Sequence, residues 1–192
     1  QNGPNDMQLQ AGRGFGKSVI TACLASWFLV RDHNSTIMVV SATGNKAVEF
    51  ISMTRRILDL VPYCEHLRPG DHTTDNAFGF NVESRTRIGQ DKSCYAKGIT
   101  AQITGSHAAV TRQKLLNKCL EAEQIRNVGG RVIFLGTPQI KDSIYNQLKI
   151  GYPVVKFPAV MPNSNVESEC EDVSPWIFEQ GFEAGDPTQP ER

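Results

Sequence analysis

The sequence predicts an α/β protein with a central, mostly parallel sheet flanked by helices. Short apolar runs typical of buried strands recur along the chain, and they alternate with segments that have the residue spacing of helices. The first of these runs leads into a glycine-rich loop that opens a helix, as in parallel α/β units. The chain has 192 residues, a length that suits one domain of this class.

The predicted strands and helices follow one another along most of the chain. The predicted strands are 7–10, 35–43, 78–82, 131–135 and 152–160, and the predicted helices are 17–30, 45–61, 111–125 and 143–149. The continuous β-branched run within 35–43 is typical of a strand that is buried on both faces. One face of the helix 45–61 is apolar, and Pro62 ends that helix. The residues of this face are Ala47, Phe50, Ile51, Thr54, Ile57, Leu58 and Val61. After Met161 the chain turns polar and acidic, and its proline-containing end is typical of a linker.

Composition and charge narrow the class of protein. The 20 Lys and Arg residues balance 20 Asp and Glu residues, so no overall basic charge points to nucleic acid. The five cysteines lack C-x-x-C spacing, which favours a reduced, cytosolic protein over a disulfide scaffold or a structural zinc site. No apolar run approaches the ~18 residues of a membrane span, and no signal peptide is visible. These observations favour a soluble intracellular domain.

The loop at residues 11–18 has the spacing of a phosphate-binding P-loop, G-x-x-x-x-G-K-[ST], with alanine in place of the first glycine. Its residues are Ala11, Gly12, Arg13, Gly14, Phe15, Gly16, Lys17 and Ser18. Glycines let backbone N–H groups turn inward around a phosphate, and the following helix adds its dipole. Lys17 would face the β- and γ-phosphates, and Ser18 would place its hydroxyl on Mg²⁺. The pattern therefore predicts a binding site for a nucleotide and Mg²⁺.

Three further positions have two interpretations each. Arg13 is either a solvated loop residue or an arginine finger that folds over the γ-phosphate. Ser41 and Thr43 stand at the end of the second predicted strand, where open α/β sheets place ligands, so they are candidates for the site edge or for contact with DNA. Thr137 follows "RVIFLG", and it is either a polar site residue or part of a simple strand-ending turn.

Several motifs occur in order between about Met7 and Pro162: "AGRGFGKS", "VVSAT", "GITAQITGS", "VIFLGTPQ" and "FPAVMP". With them the chain resembles the large terminase subunit (DNA maturase B-like) of short-tailed double-stranded DNA phages. This resemblance implies an ATP-driven DNA-packaging motor, with an N-terminal P-loop ATPase of the RecA/ASCE type followed by an RNase H-like nuclease that cuts concatemeric DNA. Residues 1–192 would be the ATPase domain alone. The implied catalytic residues are Lys17, Arg13 as a γ-phosphate sensor, and Thr137 in a Gly-Thr-Pro coupling motif.

The resemblance also implies partners and a location. The partners would be double-stranded DNA, other copies of the chain in a ring (a pentamer by resemblance), the portal protein and the small terminase subunit, with no membrane. The location would be the host cytoplasm, with transient docking on the procapsid. A second arginine would come from a neighbouring subunit, and Arg85, Arg87 and Arg112 are the candidates. His107 stands where relatives tend to carry an arginine, and we assign it no role.

ATPases of this type need an apolar strand that ends in Asp-Asp or Asp-Glu, and the sequence has none. Glu121 and Glu123 lie in a helical pattern instead. Losing a central strand would leave backbone groups of both neighbouring strands without partners, at ~1–3 kcal/mol each. We therefore expect a segment with this strand, missing from the printed chain, to belong near Ala109 and Val110.

Other functions stay open at this point. A nucleotide-gated DNA-binding module without hydrolysis would agree with the missing carboxylates. A helicase-type ATPase stimulated by nucleic acid would need paired RecA-like cores, and the sequence predicts one. A small-molecule kinase is least favoured because no lid or acceptor-site motif is present in the sequence.

Overall fold

The structure is a computed structural model that describes residues 6–41, 43–68, 75–87, 91–98, 130–136 and 152–188. The described elements in chain order are β1 (Met7–Ala11), α1 (Lys17–Arg31), β2 (Ile37–Ser41), α2 (Gly44–Leu60), a 3₁₀ helix (Pro62–Leu67), β3 (Gly79–Phe80), β4 (Cys94–Gly98), β5 (Ile133–Gly136), β6 (Val154–Phe157), α3 (Glu167–Cys170) and α4 (Pro175–Phe178). The chain divides into two compact units, Gln1–Lys17 with Ala108–Arg192 in the first and Ser18–His107 in the second.

The first unit contains a parallel sheet with the strand order β5-β1-β6. In the register of this sheet, Gln10 of β1 is opposite Gly136 of β5, and Ala11 is opposite Phe157 of β6. Since all three strands run in the same direction, their carboxyl ends meet at one edge of the sheet. The loop that follows β1 begins at this edge.

The second unit contains a sheet with the order β2-β4-β3, in which β2 and β4 are parallel and β3 is antiparallel. Helix α2 packs on β2 and β4. Its buried face consists of Ala47, Ile51, Thr54 and Leu58. Helices α1 and α2, the 3₁₀ helix and the sheet contribute to one apolar core, which consists of Leu29, Ile51, Leu58, Cys64, Leu67, Phe80, Val82 and Cys94.

The predicted α/β class with mostly parallel strand pairing is confirmed. Five predicted strands correspond to β1, β2, β3, β5 and β6, and the two predicted helices before residue 62 correspond to α1 and α2. The strand β4 was not predicted from the sequence. The predicted helices 111–125 and 143–149 lie outside the described residues, and a P-loop fold with a single central sheet stays a prediction.

Two expectations from the sequence are wrong, one about the burial of β2 and one about the end of the chain. The strand β2 is not buried on both faces, because its side chains are half-buried and Val40 is 40% exposed. Within the described residues β2 pairs with β4 alone.

The linker predicted at the proline-containing end is contradicted as far as residue 188, and Pro190 lies outside the described residues. Met161 donates its backbone N–H to Asp186, and Thr188 donates its N–H to Ala159. Burial of Met161 and Ile177 gives this segment an apolar anchor. No helix in the part of the chain that the structure describes has the length and hydropathy needed to cross a membrane.

Candidate functional site

The glycine-rich loop leaves the carboxyl end of β1 and enters α1 directly. The strand ends at the buried Ala11, and the helix begins at Lys17. Gly14 and Gly16 have positive φ angles of 92° and 67°, a backbone conformation that residues with a Cβ rarely adopt. A Cβ on Gly16 would meet no atom within 4 Å, so the backbone angle requires glycine there and the space around it is open.

Lys17 is held against the loop by two hydrogen bonds. Its Nζ donates to the carbonyl oxygen of Ala11 at 2.7 Å and to that of Gly12 at 2.5 Å. Burial lowers the pKa of the Lys17 ammonium from its ordinary value, because the charged form loses part of its hydration. The residue therefore places a cationic group at the mouth of the loop, where an anion would compensate for the lost water.

Arg13 and Ser18 are both exposed. Ser18 is the second residue of α1, so its hydroxyl belongs to the first turn of the helix. The exposure of Arg13 agrees with a solvated arginine and with an arginine finger that reaches a nucleotide. The two interpretations of Arg13 therefore stay open.

Phe15, the apolar residue of the loop, is part of an aromatic row. Its ring centroid lies 6.5 Å from that of Phe157 at the end of β6, and Phe157 lies 6.5 Å from Trp176 on α4. We call Phe15, Phe157 and Trp176 the aromatic row. Sequence reasoning included Phe15 and missed the other two residues. The sequence had included Phe157 only within the predicted strand 152–160 and as the first residue of the motif "FPAVMP".

The remaining candidates belong to other elements of the chain. Strand β5 ends at Gly136, opposite Gln10, and Thr137 lies outside the described residues. Ser41 is the last residue of β2. The hydroxyl of Thr43 accepts a hydrogen bond from the backbone N–H of Lys46 at 3.4 Å, which makes Thr43 the N-cap of α2. Also outside the described residues are His107, Ala109, Val110, Arg112, Glu121 and Glu123.

Arg85 is engaged within its own unit. Its guanidinium donates to the carbonyl oxygen of Ser35 at 3.1 Å and to the hydroxyls of Thr36 and Ser93 at 3.1 and 3.2 Å. Burial lowers the pKa of Arg85, and the neighbouring charge of Arg87 lowers it further. Arg87 is exposed. Of these two candidates for the second arginine, Arg87 is therefore the one whose side chain extends to solvent.

No three His, Cys, Asp or Glu side chains come together as a possible metal site in the described ranges. The last residues of the described strands β1, β2, β5 and β6 also carry no carboxylate. A metal at the loop would therefore depend on the Ser18 hydroxyl and on the phosphates of a nucleotide.

These features define the class: an α/β protein with a candidate phosphate-binding loop at the carboxyl edge of a parallel sheet. No protein-family profile matches the chain. It is 33% identical to the large terminase subunit of Enterobacteria phage T3, in an alignment that covers 96% of this chain. The chain belongs to the large terminase subunit family. It spans 36% of the length of that relative.

The alignment with the phage T3 protein is longer than the part of this chain that it covers. It is 211 residues long, whereas 96% of the 192 residues of this chain is about 184, so about 27 of its positions have no counterpart in this chain. The phage T3 protein therefore carries residues within the aligned region that this chain lacks.

Proposed function

We propose that this chain binds ATP at residues 11–18 and hydrolyses it to move double-stranded DNA into a viral procapsid. The observation that carries the proposal is the loop itself: Gly14 and Gly16 with positive φ, at the carboxyl end of a parallel strand, followed at once by a helix that begins with Lys17. Such a loop presents backbone N–H groups and a helix dipole to an anion. The similarity to the phage T3 terminase large subunit supports the choice of ATP and DNA as substrates.

The residues of the loop fit a triphosphate. The open space around Gly16 allows a phosphate to approach the backbone. The Lys17 ammonium already lies beside the loop carbonyls of Ala11 and Gly12, within reach of an anion that enters the loop. The charge of Lys17 would then be shared between these carbonyls and the β- and γ-phosphates.

Ser18 would hold Mg²⁺ through its hydroxyl, and Mg²⁺ would neutralise charge between the β- and γ-phosphates. Hydrolysis also needs a carboxylate to orient the attacking water. The positions that the phage T3 relative has and this chain lacks support the expectation that a stretch carrying this carboxylate is missing near Ala109 and Val110. The location of this stretch stays a prediction, since both residues lie outside the described part of the chain.

Two residues would couple the hydrolysis of ATP to the movement of DNA. Arg13 would sense the γ-phosphate and stabilise the charge that develops on it during hydrolysis. Thr137 would follow the end of β5, one residue after Gly136, and pass the state of the nucleotide to the rest of the motor. Thr137→Ala should leave ATP binding intact and uncouple hydrolysis from DNA movement.

The partners of the proposed motor follow from the family. They are double-stranded DNA, further copies of the chain in a ring, the portal protein and the small terminase subunit, which act in the host cytoplasm while the motor is docked on a procapsid. In such a ring Arg87 is a better source of the arginine from a neighbouring subunit than Arg85, because Arg85 is engaged by Ser35, Thr36 and Ser93. The nuclease that cuts concatemeric DNA would belong to the part of the relative that this chain does not span.

The proposal is tested by comparing the chain with its Lys17→Ala variant. ATP binding is measured by calorimetry, and phosphate release is measured with and without double-stranded DNA. We expect Lys17-dependent binding and DNA-stimulated release. Arg56→Ala, an exposed arginine on α2, is the control that should change neither. Binding that is unaffected by Lys17→Ala would rule out the loop as the site.

A second candidate function is a nucleotide-gated DNA-binding module that does not hydrolyse ATP. The absence of an apolar strand ending in Asp-Asp or Asp-Glu favours it. In that case the same experiment would give Lys17-dependent ATP binding with no phosphate release, and ATP would change the affinity for DNA.

A further inference from the structure

We propose that the aromatic row stacks the purine base of the nucleotide whose phosphates bind at residues 11–18. This inference rests on the proposed function and adds to it the side chains that contact the base. The row consists of side chains that the nucleotide-binding motif does not include, apart from Phe15. The first unit would then contact the nucleoside of the ligand as well as its phosphates.

The position of the row supports this role. Phe15 lies within the loop, and each of the two steps from Phe15 to Phe157 and from Phe157 to Trp176 is 6.5 Å between ring centroids. The interplanar angles are 49° and 54°, so the rings are tilted and leave parts of their faces uncovered. In an extended nucleoside triphosphate, the distance between the terminal phosphate and the base is comparable with the sum of these two steps. A base could therefore reach the row while its phosphates stay in the loop.

Trp176 is presented to solvent on a fixed backbone. The side chain is 53% exposed, whereas the next residue, Ile177, is fully buried and anchors α4. The segment before α4 is attached to β6, because Ser174 donates its N–H to the carbonyl oxygen of Lys156 at 2.9 Å. Lys156 in turn donates its N–H to Asp172 at 2.8 Å. An exposed indole on a rigid support has little conformational entropy to lose when a base stacks on it.

The chemistry of the row sets the expected selectivity. Two phenyl rings and one indole offer π-faces and a single N–H donor. Every base has a π-face, so stacking tolerates different bases and favours the larger ring system of a purine. We expect ATP and GTP to bind with similar affinity, and CTP and UTP to bind less tightly.

The test uses Trp176 as its own reporter. The chain has two tryptophans, so Trp27→Phe leaves Trp176 as the only one. ATP and GTP should change its fluorescence on titration, while inorganic tripolyphosphate should bind in the loop without that change. The fluorescence of Trp176 would instead depend on the protein concentration, and not on the nucleotide concentration, if Trp176 contacted a second copy of the chain. That result would overturn the inference.

Affinities of the variants complete the test. Trp176→Leu should weaken ATP binding by about fivefold to a hundredfold and leave tripolyphosphate binding unchanged. Phe178→Leu is the matched control, because Phe178 is a partly exposed aromatic residue on the same helix but outside the row. Equal ATP affinity in Trp176→Leu and Phe178→Leu, with Lys17-dependent tripolyphosphate binding retained, would overturn the inference and leave the proposed function standing. Tripolyphosphate binding that does not depend on Lys17 would overturn the proposed function, and the inference with it.

Discussion

The ammonium of Lys17 donates a hydrogen bond to the carbonyl oxygen of Ala11 across 2.7 Å, so the last residue of β1 holds the first residue of α1. A neutral carbonyl replaces only part of the hydration that a buried ammonium loses. The lowered pKa of Lys17 expresses this deficit. A phosphate beside the ammonium would remove the deficit, because an opposite charge favours the protonated form.

This relationship predicts a pH dependence of ATP binding. The pKa of Lys17 is lowered in the free protein and is raised again by a bound phosphate, so binding takes up a proton at alkaline pH. The affinity should fall as the pH rises through the lowered pKa, because the deprotonated amine no longer attracts the phosphates. Calorimetry between about pH 7 and about pH 10, in buffers of different ionisation enthalpy, measures both effects.

Lys17→Arg is the control for this prediction. A guanidinium stays protonated over the whole range, so the variant should bind ATP with little change between the two ends of the range. A decline of the same size in Lys17→Arg would show that a group other than the Lys17 ammonium causes it.

Arg13→Ala should lower kcat far more than it raises KM for ATP. An arginine finger acts on charge that develops in the transition state, and its loss is worth ~10³ or more in rate. Steady-state phosphate release gives both constants, and Arg13→Lys tests whether a charge alone is sufficient. Normal turnover in Arg13→Ala would identify Arg13 as a solvated residue of the loop.

The elements that could be predicted from the sequence are those with a local signal. The run around Phe134 is continuous and apolar and became β5, and the short stretch around Leu9 that leads into the glycine-rich loop became β1. Strand β4 was missed because its five residues include Lys97 and Gly98 and form no continuous β-branched run. Its signal was a two-residue alternation: Cys94 belongs to the core and Ala96 packs against it, while Lys97 is exposed over the ring of Tyr95.

The candidate site shows the same limit. Residues 11–18 are contiguous, so their spacing alone predicts a phosphate site. Phe157 comes from the far end of the chain and meets Phe15 because β6 pairs with β1, and Trp176 joins the row through Phe157. Strand pairing between distant segments leaves no local pattern in a single sequence, and the aromatic row was therefore beyond sequence reasoning.

Arg85→Ala should lower the free energy of unfolding by about 2 kcal/mol. The substitution leaves the carbonyl of Ser35 and the hydroxyls of Thr36 and Ser93 without the guanidinium that joins the beginnings of β2 and β4. Urea denaturation followed by circular dichroism measures the change. The exposed Arg87 provides the comparison, since Arg87→Ala should change stability by less than about 0.5 kcal/mol. Equal effects of the two substitutions would show that Arg85 contributes no more than a surface residue.

Gly79→Ala should destabilise the second unit because a Cβ at this position has no space. It would lie 2.7 Å from the carbonyl oxygen of Cys94 and 2.9 Å from the Cβ of Tyr95. These atoms belong to β4 or lie next to its backbone, so relief requires β3 and β4 to move apart. We expect a loss of about 1–3 kcal/mol in the free energy of unfolding. Gly44→Ala is the matched control: a Cβ at the first residue of α2 meets nothing within 4 Å, and alanine loses less backbone entropy than glycine when the helix forms. The two glycine substitutions should therefore shift the urea midpoint in opposite directions, and a Gly79→Ala variant as stable as the parent chain would contradict the close pairing of Gly79 with Tyr95.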